Sequence, residues 1–158
     1  MKSLLLVLAS TLISGLLGVA AAGMAITYND TLIGFQTAAN ENEGIAVVLE
    51  ASGDLPGMTR VMLLRQGNNV TGGTWTLTIL PPNADATSNE RGRLSGNVTG
   101  GSLSFNSDGT LSGASSLQLT VQSGTGEYVG VTSGTGTFNL SSVADNPSQL
   151  SGTLVLNF

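Results

Sequence analysis

Glycine-, asparagine- and proline-marked turns cut this chain into short alternating runs about every ten residues, a spacing that belongs to antiparallel sheets. The clearest run is VTGGTWTLTIL (70–80), in which Trp75, Leu77 and Ile79 share one face and Thr74, Thr76 and Thr78 take the other. That two-residue period is the mark of a strand with one face buried. Pro81 and Pro82 end it, because proline has no N–H to give to a ladder.

Similar runs flank it: TLIGFQT (31–37), IAVVLE (45–50) and MTRVMLLRQ (58–66) before, and RLSGNV (93–98), SLSFNS (102–107), SSLQLTVQ (115–122), EYVGVT (127–132), GTFNLS (136–141) and LSGTLVLNF (150–158) after. Between them lie turn residues such as Asp54-Leu-Pro-Gly, Asp108-Gly109 and Ser133-Gly134. NADATSNER (83–91) is the longest polar connection. No segment after the first 25 residues has a helical period. NVTGG occurs at 69–73 and again at 97–101, and SGTG at 123–126 and 133–136, which reads as one hairpin design used repeatedly. The expected fold is all-β: an antiparallel up-and-down barrel of about eight strands, with a β-sandwich as the alternative.

The start of the chain has another character. Met1-Lys2 precedes LLLVLASTLISGLLGVAAAGMA, an apolar run that ends in small residues. This is the layout of a secretory signal peptide. We therefore expect a signal-peptide helix over 1–25, a single β-domain over 26–158, and a secreted, periplasmic or extracellular location, with membrane contact only through the signal segment.

Composition narrows the chemistry. Charged residues are 9% of the chain and the formal net charge is −5, with only five cations: Lys2, Arg60, Arg65, Arg91 and Arg93. Nucleic-acid binding through phosphates needs clustered cations, so none is expected. SGTGEYVGVTSGTGTF (123–138) is glycine-dense, but its glycine spacing misses the dinucleotide fingerprint and no helix follows to receive a phosphate. The chain has no histidine or cysteine, and its lysine is at position 2. Serine and cysteine nucleophiles with their usual bases, and zinc sites, are thereby set aside. No cofactor is expected, and the asparagine- and aspartate-bearing loops lack the spacing of a calcium loop.

Carboxylates are what remains for acid–base work. Glu50 and Glu127 lie at strand positions, and either would be a general acid if it pointed into a barrel, where burial raises its pKa. Trp75, Leu77, Ile79, Leu119 and Tyr128 are the candidate lining of an interior that holds one small apolar ligand. Arg60 and Arg65 are five apart on one strand and so face opposite ways.

The order Gly124-Thr-Gly-Glu-Tyr-Val-Gly130 followed by Ser133-Gly-Thr-Gly-Thr-Phe138 resembles the late strands of allene oxide cyclase and dirigent-like barrels, and of secreted bacterial β-proteins. The resemblance implies an eight-stranded antiparallel barrel with an apolar interior, and it carries no catalytic residue onto this chain. Leu150, Leu154, Leu156 and Phe158 also resemble the last strand of an outer-membrane barrel, although most of the expected strands are shorter than the 9 to 11 or so residues such strands need. The reading is a secreted, non-enzymatic barrel that binds a small apolar ligand or serves a structural role at the cell surface. Its alternatives are a carboxylate-dependent isomerase or cyclase working in the interior, a filament subunit joined through strand edges, and a small outer-membrane barrel.

Overall fold

The computed structural model describes residues 26–40, 44–84, 89–107, 110–112, 114–143 and 146–158. The expected signal segment over 1–25 and the Asp108-Gly109 turn lie outside them. Eight strands follow one another as an antiparallel meander: β1 (Thr27–Asn40), β2 (Gly44–Gly53), β3 (Gly57–Gln66), β4 (Asn69–Ile79), β5 (Gly92–Ser102), β6 (Ala114–Gly126), β7 (Gly134–Val143) and β8 (Asn146–Asn157). Each pairs with its sequence neighbour, and β1 pairs with β8 from Thr27↔Asn157 to Phe35↔Gln149, so the sheet closes into a barrel. The sandwich alternative is excluded by that closure. The edge-paired filament loses its basis too, since every strand has a partner on both sides.

The strands run to 10–14 residues, longer than the sequence runs suggest. The difference lies in glycines that read as turns and are in fact built into strands. Gly100-Gly101, in the second NVTGG copy, is such a place, and the first copy, already inside the 70–80 run, is built the same way. On β4, Leu64 faces Gly72 and Arg65 faces Val70, leaving Thr71 as an extra residue; on β5, Val98 faces Leu119 and Gly100 faces Gln118, leaving Thr99 extra. The repeat therefore encodes a β-bulge, not a hairpin turn. A bulge reverses the phase of a strand and bends it, as closure of a sheet into a barrel requires. It explains why Val70 and Trp75, an odd number of residues apart, both point inward. The second glycine of each copy adopts the left-handed φ range (Gly73, +153°; Gly101, +138°), where a side chain would be strained.

Two expected strands are absent. EYVGVT is a pair of tight turns: Tyr128 N donates to Thr125 O (3.1 Å) and Val131 N to Tyr128 O (3.0 Å), and Gly126 supplies the positive φ that starts them. The preceding Gly124-Thr-Gly126 is the end of β6. SLSFNS has only Ser102 in a strand; the rest bridges at Phe105↔Leu111 and folds across the barrel mouth.

Inward side chains are aliphatic on almost every strand, with Trp75 and Phe138 as the largest fully buried groups. The outward face is threonine, serine, asparagine and glutamine over most of the wall. A lipid-embedded barrel needs an apolar outside and a polar lumen. Over most of its wall this barrel has the opposite polarity, although its strands reach the length that such a barrel uses.

Trp75 ties three strands together. Its ring lies across Gly96 on β5, and its indole Nε1 donates to the Thr120 carbonyl on β6 at 3.0 Å. A Cβ at position 96 would meet that carbonyl oxygen at 1.8 Å. Gly96→Ala is therefore expected to destabilise the fold by about 1 to 3 kcal/mol through overpacking. Trp75→Phe should cost about 1 to 3 kcal/mol, because it leaves the carbonyl without its donor. Urea denaturation followed by circular dichroism measures both.

Candidate functional site

The five residues expected to line a ligand cavity divide into two groups. Trp75, Leu77, Ile79 and Leu119 all point into the barrel, and none is more than 3% exposed. A void of ligand size would leave its lining side chains with surface of their own. Leu32, Ile45, Leu49, Leu94, Leu117 and Leu156 surround these four and have none. The interior is a packed core, and these four side chains belong to it. Eight strands give an interior that side chains can fill unaided.

Both mouths are plugged. At one, the segment between β5 and β6 inserts Leu103 and Leu111, and Leu111 N donates to Gln36 Oε1 on β1 at 3.1 Å. Arg65 closes this end from the side, with its guanidinium 4.2 Å from the Phe105 ring centroid and Nη1 donating to Gly67 O. Arg65 thus faces away from Arg60 as expected, but its partners are a ring and a carbonyl instead of an anion. At the other mouth Leu55, from the β2–β3 turn, is the stopper.

Tyr128 belongs to this second mouth. It is half-buried in the β6–β7 turn and meets Phe158 edge-on at 6.4 Å, while Phe158 stacks on Tyr28 at 4.9 Å. Burial pushes its phenol above the ordinary value. It is a rim residue that closes the end of the barrel.

The two candidate acids also lie outside. Glu50 is exposed on the outer face of β2. Glu127 is exposed in the turn and accepts from Arg91 Nε and Nη2 at 3.0 and 2.5 Å. The Arg91 hydrogen bond holds its carboxyl below the ordinary value, the reverse of what a general acid needs near neutral pH. The expected interior acid is therefore absent at both positions.

The buried acid is Asp30, which the strand assignment beginning at Thr31 overlooks. It precedes Leu32 by two residues and so shares its inward face. Asp30 Oδ1 accepts from Leu55 N at 2.8 Å, and Asp54 Oδ2 accepts from Asn29 N at 2.8 Å. Two carboxylates thus latch the β2–β3 turn to β1 and hold Leu55 in the mouth. Burial, opposed by the Leu55 hydrogen bond and aided by the nearby Asp54 charge, raises the Asp30 pKa above its ordinary 3.8.

The open recesses lie on the outside. One, about 560 Å³, runs over β3, β4 and β5 between Met58, Arg60, Met62, Thr76, Thr78 and Arg93. A second, about 370 Å³, lies over β6, β7 and β8 and is lined mainly by serine, asparagine and threonine. Arg93 is held by Glu90 at 3.0 Å, whereas Arg60 has no ion-pair partner among the described residues. Among those residues no group of three or more carboxylates is placed to hold a metal ion. Comparison with known protein families, characterised proteins and solved structures finds no match to this chain.

The Asp30 geometry gives a pH dependence of definite sign. A raised folded-state pKa means that the folded chain keeps the proton to higher pH than the unfolded one. The stability this confers is complete below the ordinary 3.8 and is lost as pH rises through the folded-state value. Asp30→Asn imitates the protonated side chain, so the wild type should lose stability relative to this variant as pH rises from 3.8. Asp30→Ala, which removes the acceptor for Leu55 N, should cost about 1 to 3 kcal/mol at any pH. Urea midpoints for the three proteins between acid and neutral pH read both effects.

Proposed function

We propose that this chain is a secreted, non-enzymatic β-barrel that serves a structural or binding role at the cell surface through its outer wall. The observation that carries this reading is the filled interior: apolar side chains occupy the barrel and both mouths are stoppered by residues of the same chain. A small apolar ligand has no room inside without displacing core side chains, and displacing a buried leucine-sized group costs about 2 to 5 kcal/mol. Recognition is left to the outside, where the recesses lie. The exposure of Glu50 and Glu127 weighs against the isomerase or cyclase reading, which needs one of them desolvated beside a cavity.

Trp75 is the single tryptophan and sits in the core, so its fluorescence reports directly on the interior. Titration with a fatty acid, a terpene alcohol and an environment-sensitive apolar dye is expected to leave its emission unchanged up to the solubility limit of each. A saturable change in Trp75 emission at micromolar ligand, with competition among the three, would overturn the reading in favour of an interior binding site.

A further inference from the structure

The outer wall is not uniform. Among the described residues, the large apolar side chains exposed on strand faces in the barrel wall are Ile33 and Phe35 on β1 and Met58, Met62 and Leu64 on β3, each at least 38% exposed, with β2 running between them. The outward positions of β4 to β7 carry threonine, serine, asparagine, glutamine and Arg93 instead. The pairing register shows how the patch is laid out. Phe35, Val48 and Arg60 form one row across the three strands; Ile33, Glu50 and Met58 form the next; Ala46 and Met62 form the row on the other side. Val48 is at the centre. Arg60 and Glu50 are its neighbours in two perpendicular directions, and neither has an ion-pair partner among the described residues.

From this layout we infer that the β1–β2–β3 face is the contact surface for a second copy of this chain. The patch is self-complementary under a two-fold axis lying along the Val48–Met58 diagonal. That operation brings Arg60 of each copy over Glu50 of the other and Phe35 over the small Ala46, and it sets Ile33 against Met62. Val48 and Met58 meet their own counterparts on the axis. A dyad in this direction crosses the strands of the two copies at about 70°, closer to the orthogonal than to the aligned way in which sheets pack face to face. Rows lie about 4.8 Å apart across strands and about 6.8 Å apart along them, so Arg60 and Glu50 differ by about 2 Å in distance from the centre. The reach of an arginine absorbs that difference. Within one molecule the two side chains are diagonal neighbours on one face, about 7 to 8 Å apart at their backbones, and they form no ion pair with each other. Charge complementarity therefore selects a second copy over a uniformly anionic partner, for which Glu50 would be repulsive. The contact is isologous and closes at two, so it produces dimers and not fibres.

The test is sedimentation velocity over a concentration series, using the chain in the form that accumulates in the producing cell. The wild type is expected to pass from monomer to dimer with rising concentration and to shift back toward monomer as salt is added. Arg60→Glu and Glu50→Arg should each weaken the dimer by about tenfold or more, since each sets like charges against one another. The double variant R60E/E50R should restore it. Both positions are on the surface, and Trp75 emission checks that each variant is folded. A wild type that stays monomeric at millimolar concentration overturns the proposal, as does a dimer indifferent to both single reversals or a double variant that fails to recover. A monomer that instead binds vesicles of anionic lipid through Arg60 overturns it in favour of a lipid surface.

Discussion

Closure between β1 and β8 is the constraint on which the rest of this structure depends. The pairing of Thr27–Phe35 with Gln149–Asn157 joins the first and last strands of the meander and satisfies the backbone groups that an open sheet would leave at its edges. The chain has no cysteine, so no disulfide assists. Cohesion comes from the hydrogen-bond ladder around the barrel and from the apolar surface enclosed by it. Closing eight strands requires them to bend, and two of the register breaks that allow it are written in the sequence as the bulges at Thr71 and Thr99 and the glycines beside them.

Once closed, a barrel of this size leaves a volume that its own side chains fill. Trp75 illustrates how tightly that volume is used, since its ring occupies the space that a side chain at position 96 would otherwise take. The turns at either end complete the enclosure, Leu55 entering at one mouth and Leu103 with Leu111 at the other. Chemistry is displaced outward as a consequence. Among the described residues, the other charged groups stand on the rim or the outer wall, and the one buried carboxylate, Asp30, is occupied in holding a turn.

Much of this was legible in the residues. Alternation in TWTLTI placed Trp75, Leu77 and Ile79 on the buried face, and the turn cadence pointed to an antiparallel barrel of about eight strands. The alternation failed where glycine carried two meanings. Gly100-Gly101 looks like a turn but lies beside a bulge within β5, which made that strand seem shorter than it is. Glycine-rich Gly124-Thr-Gly126 likewise continues a strand, and the tyrosine after it sits in a turn. A local pattern cannot separate these cases, because a bulge is defined by what the neighbouring strand does opposite it. Asp30 was missed for a related reason: its polarity suggested a turn, while its phase with Leu32 put it inside.

The sequence by itself determined the strand-forming pattern, the absence of histidine and cysteine chemistry, and the scarcity of cations, since these follow from residue types and their period. Only the tertiary structure decided whether the interior is hollow and which acids face it. Those properties depend on how many strands close the sheet, on which turns fold back into the mouths, and on the register that sets Arg60 and Glu50 around Val48. Each is a relation between residues distant in the chain, fixed by packing and pairing across the barrel, and no local run of residues contains it.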